Sequence, residues 1–187
     1  MARYKRNYSR RRKEERNYVW MRWNGDEILN SIPVNGGQAS NVAYLEPGLG
    51  VGGGTGDNID HFEFETIVTR VRGEIGHFAK YHSTGSDQNW VPFNLGLIVV
   101  PVEFNLESSP DIRDNRKGDD YFMYHSALCN PSPSAGVNNT HIIDNKAKRR
   151  VDVGSQIALV YHAVNPTDAV VDVVLGWNFS ILFELRK

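Results

Sequence analysis

In segment after segment of this chain, apolar residues return at every second position, and nowhere do they return at the spacing of an amphipathic helix of ten or more residues. A period of two marks a strand with one buried face, so the alternation confines the chain to all-β architectures. Tyr18-Val-Trp20-Met-Arg22-Trp23 reads as the first strand, ended by the turn signal Asn24-Gly25-Asp26. Ala39 to Leu45 reads as a second strand or an edge segment. His61 to Val71 sets Phe62, Phe64, Thr66 and Val68 on one face and Glu63, Glu65, Ile67 and Thr69 on the other, and Gly73 and Gly76 predict a bend or bulge before the chain continues to Tyr81. Asn94 to Phe104 is an apolar run suited to a central strand, with Pro101 at a bulge or an unpaired edge. Tyr121 to Leu128 is a further aromatic strand, and Lys146 to Val153 leads to a hairpin-like break at Gly154. Gln156 to Val164 places Ile157, Leu159, Tyr161 and Ala163 on one face before Asn165-Pro166-Thr167-Asp168 turns the chain. Ala169 to Leu185 is one strand, or two if Gly176 kinks it.

About eight strands separated by loops of very unequal length predict an antiparallel sandwich or barrel. A single eight-stranded jelly roll, a β-sandwich of two sheets, fits best, because its loops gather at two ends and accept long insertions. The glycine-rich stretch at 47–58 and the polar stretch at 107–120 are such insertions. With 187 residues, one domain buries roughly 70% of the surface its unfolded chain exposes, enough for a sizeable core.

Charge divides the chain at residue 16. Arg3, Lys5, Arg6, Arg10, Arg11, Arg12, Lys13 and Arg16 face only Glu14 and Glu15, so residues 1–16 carry +6. Removing them from the totals of 21 Lys+Arg and 22 Asp+Glu leaves 13 basic and 20 acidic residues, or −7, in residues 17–187. The arm lacks the apolar periodicity needed to bury a face, which predicts a disordered segment ahead of a folded domain. Such an arm suits a phosphate backbone, where it releases counterions without needing a fixed geometry. Its arginines favour forked phosphate contacts, and Tyr4 and Tyr8 are suited to stacking on bases. A second basic cluster, Lys146, Lys148, Arg149 and Arg150, either extends that surface onto the domain or is a solvated strand end.

Other chemistries find little support. The lone Cys129 cannot form an intrachain disulfide; it reads as an inert buried thiol, and it favours a reducing compartment or an intracellular site of assembly over a secreted, disulfide-stapled scaffold. No run reaches the ~18 apolar residues of a membrane helix, and arginines stand where a secretory signal has its apolar core. The glycine-rich loop matches Gly-x-Gly-x-x-Gly but runs into Asp57-Asn58-Ile59-Asp60 and a strand rather than a helix, so no nucleotide site is expected there. None of the six histidines, His61, His77, His82, His125, His141 and His162, sits in a His-x-His or His-Glu-x-x-His pattern, so no metal ligand and no cofactor is assigned. His61 with Glu63 and Glu65 offers only a weak metal or proton-sensing motif. The loop carboxylates Asp57, Asp60, Asp111, Asp114, Asp119 and Asp120 read as solvated charge, and Gly-x-Ser-x-Gly is absent. The chain is not expected to be an enzyme.

An Arg-rich arm ahead of a small all-β domain resembles the capsid proteins of small circular Rep-encoding single-stranded DNA viruses, the group of the circoviruses and genomoviruses. The likeness rests on the arm, on Lys146-Ala-Lys148-Arg149-Arg150-Val-Asp-Val-Gly154 followed by the apolar strand Ile157 to Val164, and on the closing Gly176-Trp-Asn-Phe-Ser-Ile-Leu-Phe183-Glu-Leu-Arg. The chain is shorter than typical members, and its arm is briefer and interrupted by Glu14-Glu15. The resemblance implies a jelly roll that self-assembles into a small icosahedral shell, such as a T=1 particle, with the arm inside on single-stranded DNA. It also implies residence in the virion, passage through the host nucleus during assembly, and no membrane partner. The alternatives from the residues alone are a nucleic-acid-binding β domain that forms no shell, and a jelly-roll enzyme or carbohydrate-binding domain.

Overall fold

The computed structural model describes residues 17–45, 65–82, 90–101, 121–129, 139–146 and 148–185. The basic arm, the glycine-rich stretch at 47–58, His61 to Phe64, the polar stretch at 107–120 and residues 130–136 lie outside them. Nine strands are present among the described residues, with no helix: β1 (Asn17–Ile32), β2 (Gly37–Leu45), β3 (Thr66–Tyr81), β4 (Val91–Pro101), β5 (Tyr121–Cys129), β6 (Asn139–Asn145), β7 (Arg149–Val151), β8 (Ser155–Asn165) and β9 (Val171–Leu185).

All pairings are antiparallel, and they build two sheets. One has the order β1-β9-β3-β6, with β7 also on β3, and the other has β2-β8-β4-β5. β6 pairs with Val71 to His77 and β7 with Thr66 to Val68, so the two are one strand interrupted around Lys146 to Lys148. Counted as one, they leave eight strands in four nested pairs: β1 with β9, β2 with β8, β3 with β6–β7, and β4 with β5. This is a long antiparallel ribbon rolled so that alternate pairs fall into opposite sheets, which is a jelly roll, as the alternation predicts.

The ribbon keeps its register through the roll. Asn17 lies opposite Leu185 and Leu29 opposite Val173; past the corner Gly37 lies opposite Asn165 and Leu45 opposite Ile157. The corner takes two residues in the left-handed region, Asn35 (φ 56°) and Gly36 (φ 91°), which asparagine and glycine tolerate best. Their amides donate to Thr167 O and Asn165 O, both at 2.7 Å. The fully buried Asn165 side chain donates to Ile32 O (3.0 Å) and Ala169 O (2.8 Å) and accepts from the amide and hydroxyl of Thr167 (3.0 and 2.7 Å). The expected turn at Asn165 to Asp168 is therefore a buried lock joining three strand ends.

Between the sheets, inward positions of every strand meet in one core that includes Ile75, Phe93, Leu95, Leu97, Tyr161, Phe179, Ile181 and Phe183. Ile98, Val100, Ala158 and Val160 form a second buried cluster on the other face of β4 and β8, which explains why those segments read as unbroken apolar runs.

Several expectations are corrected. Asn24-Gly25-Asp26 is not a turn: β1 runs straight through it, and Gly25 lies opposite Trp177, whose ring occupies the space a Cβ would need. Pairing with β9 and aromatic cover of a strand glycine outweigh the local turn preference. β3 does not bend at Gly73 or Gly76; its irregularity falls between Val68 and Arg70, while Gly73 lets the Asn178 carbonyl approach more closely than a side chain would allow. Gly176 does not kink β9. Pro101 ends β4 opposite Ser155, beyond the stretch that pairs with β5, so its missing N–H is tolerated. β6 is a strand that the alternation did not reveal.

Candidate nucleic-acid interface and a histidine cluster

The eight basic arm residues lie outside the described residues, but the place where the arm joins the domain is defined. Asn17 opens β1 opposite Leu185, Leu185 pairs with Thr66, and Thr66 pairs with Val151 of β7. Three strand spacings, about 14 Å, therefore separate the root of the arm from the second basic cluster, at the same end of the first sheet. Lys146, Lys148 and Arg150 are exposed there and Arg149 is half-buried.

The outward face of this sheet is charged and aromatic. Trp20 and Arg22 project from β1, and the Arg72 guanidinium of β3 lies 5.9 Å from the Trp20 ring centre. Arg70 grips Asp144 with two bonds, Nε to Oδ1 at 2.7 Å and Nη2 to Oδ2 at 2.6 Å, and Arg72 approaches the same carboxylate at 3.4 Å. Hydrogen bonding from Arg70, reinforced by both positive charges, holds the Asp144 carboxyl at about 2. Arg150 meets Asp152 at 2.5 Å and Glu65 at 3.2 Å. The cluster is thus brought near Asn17, at the root of the arm, with part of its charge offset by carboxylates.

A different group of residues converges between the two sheets. His77 of β3, His125 of β5 and His141 of β6 all take inward positions, His125 opposite core Leu95 and His141 opposite core Ile75. β5 is the edge of one sheet and β6 lies at the edge of the other, so the three imidazoles stand between the sheets where those edges meet. One nitrogen from each lies within 4.8 Å of the others. His77 Nε2 and His141 Nε2 are 3.1 Å apart with their rings stacked at 14°, and the His125 and His141 ring centres are 4.0 Å apart. His77 is almost completely buried, with Cys129 Sγ 3.2 Å from its Nδ1 and the Phe93 ring 5.3 Å away. The Nε2 atom of His125 is buried with no hydrogen-bond partner among the described residues.

Burial governs the electrostatics. It lowers His77 to about 4, helped by repulsion from His141 and His125, and it lowers His125 in the same way, helped by His141. Burial pushes the Cys129 thiol up to about 12, so the inert thiol expected from the sequence is neutral here and sits against an imidazole. Favoured in the neutral form, His77 and His125 each keep a lone pair, which is what a metal ligand needs.

The sequence reading assigned no metal ligand and missed this cluster. His77 and His125 are 48 residues apart and His125 and His141 are 16 apart, so no local motif joins them. The available signal was strand phase: each histidine shares parity with apolar neighbours, Ile75 and Ala79, Met123 and Ala127, or Ile143. The weak His61 motif lies outside the described residues, apart from Glu65, which pairs with Arg150. No protein-family model matches this chain, and a search of curated proteins finds no match either.

Proposed function

We propose that the chain is the coat subunit of a small virus, whose jelly roll assembles into a closed icosahedral shell and whose basic arm holds single-stranded DNA inside. The observation that carries the reading is the joining of a +6 arm to the first strand of a jelly roll of otherwise acidic composition. A −7 body repels nucleic acid, so an arm at one end of one sheet confines the cargo to one face of the subunit. With ~0.7 counterions released per phosphate, eight pairings give a log–log salt slope of about −5 to −6. One arm is weak alone and gains strength from many copies in a shell.

Exposed apolar side chains support the assembly half of the reading. Ile142 on β6 is 87% exposed, Leu128 on β5 is 53% exposed, and Trp90, Tyr124, Tyr18 and Trp20 are also open to solvent. Large apolar groups on edge strands and sheet faces suit contacts between subunits.

Negative-stain microscopy and sedimentation of the purified full chain, with and without single-stranded DNA, test the proposal. Closed particles of uniform size are expected, and deletion of residues 1–16 is expected to remove the nucleic acid while leaving the fold intact. A monomer under every assembly condition refutes it; arm-dependent binding by that monomer assigns the chain to non-assembling nucleic-acid-binding domains instead.

A further inference from the structure

We propose that His77, His125 and His141 bind one divalent transition-metal ion of the zinc class, which clamps the two sheets together along the side where β5 and β6 form their edges.

Hydrogen bonding alone leaves the cluster incomplete. Each neutral imidazole has one donor and one acceptor nitrogen. If His77 donates from Nδ1 to Cys129 Sγ, its Nε2 is an acceptor, and His141 can donate to it across 3.1 Å. The buried His125 Nε2 then still has no partner among the described residues. A divalent cation resolves the arrangement by taking lone pairs from all three.

The geometry matches. Two imidazole nitrogens on one tetrahedral zinc, each at ~2.0–2.1 Å, lie about 3.4 Å apart, and His77 and His141 are within a few tenths of that value. The third nitrogen lies within 4.8 Å of them, a gap that rotation of the half-buried His125 ring closes. Cys129 stands behind the metal-facing side: when Nδ1 of His77 donates to its sulfur, Nε2 is the nitrogen free to ligate, an arrangement like that of the outer-layer partners of zinc histidines. Three nitrogen donors without an oxygen ligand select zinc-like ions and disfavour calcium and magnesium. A set of three leaves the fourth position for water. The ligands come from both sheets, so the ion ties β5 to β3 and β6.

The test uses the full chain, stripped with chelator and then given Zn2+, Co2+, Ca2+ or Mg2+ alone. One Zn2+ per chain is expected to survive desalting, and at a hundredfold excess over Kd the melting temperature is expected to rise by about 5–10 °C. Co2+ is expected to give the visible absorption of a tetrahedral nitrogen site, with no effect from Ca2+ or Mg2+. His125→Gln is expected to abolish stoichiometric binding, whereas His82→Gln, which alters an exposed histidine paired with Asp172, retains it. If His125→Gln does not fold, the Co2+ spectrum and stoichiometry of the unaltered chain decide. Substoichiometric metal, an octahedral Co2+ spectrum, or undiminished Zn2+ in a folded His125→Gln chain overturns the proposal.

Discussion

Replacing Asn165 with alanine removes a single amide from the corner where β8 gives way to β9, and the structure allows its cost to be built up bond by bond. The side chain is fully buried and makes four hydrogen bonds. Ala169 O keeps a second donor in the Thr167 hydroxyl at 3.0 Å, so its loss is partial. Ile32 O and the Thr167 amide lose the Asn165 partner outright, and each buried polar group left unmatched costs ~1–3 kcal/mol. The sum is about 3–5 kcal/mol, a large share of the ~5–15 kcal/mol that holds a typical domain together. For a domain of this size each kcal/mol moves the melting temperature by about 2–4 °C, so a fall of roughly 10 °C is expected. Thermal unfolding of the purified chain, followed by circular dichroism, measures it. Asn178→Ala, an exposed change on β9, serves as the reference and is expected to stay within about 0.5 kcal/mol of the parent. An Asn165→Ala melting point within 2–3 °C of the parent, a cutoff of about 1 kcal/mol, refutes the reasoning and means that water replaces the amide without loss.

Gly25→Ala drives a methyl group into the Trp177 ring and is expected to destabilise by about 1–3 kcal/mol, with a changed near-ultraviolet spectrum because Trp177 packs edge-on against Trp23 at 5.8 Å; an unaltered spectrum and melting point count against the fit. In chelator, stability is expected to fall as pH drops from 6.5 to about 4. In that window the unfolded chain protonates His77, whereas the fold, with His125, His141 and Cys129 around it, resists; a urea midpoint unchanged between pH 7 and 4.5 refutes this. DNA binding by the full chain is expected to weaken with a log–log salt slope near −5 to −6, and a slope near −1 after residues 1–16 are deleted locates the interaction in the arm. A slope unchanged by the deletion moves it to the domain.

How much of this was legible depended on whether the signal was local. β8 declares itself because Ile157, Leu159, Tyr161 and Ala163 all face one core, and Asn165 to Asp168 carries turn chemistry that the fold uses where it stands. Asn24-Gly25-Asp26 carries similar chemistry and misleads, because Trp177, more than 150 residues away, supplies the cover that makes a glycine useful in mid-strand. β6 escapes notice because its apolar pattern is inverted at the critical positions: His141 and Asn145 point inward, Asn145 donating to Phe122 O, while Ile142 points out. The histidine cluster is invisible for the same reason in stronger form. Its members come from three strands in two sheets, and only the rolled ribbon places them together.

The nesting of the ribbon also sets an order on synthesis. β9 lies between β1 and β3 in the first sheet, so the earliest described strand and its sheet-mate have no shared neighbour until residues 171–185 leave the ribosome. A nascent chain can close β4 on β5 early, as those strands are near in sequence, but its first sheet waits for the last described strand. Until then the inner faces of β1 and β3 remain open and prone to wrong pairing. A chain built this way acquires the finished surface of its first sheet in one late step, and a chain cut short before β9 leaves β1 and β3 unjoined.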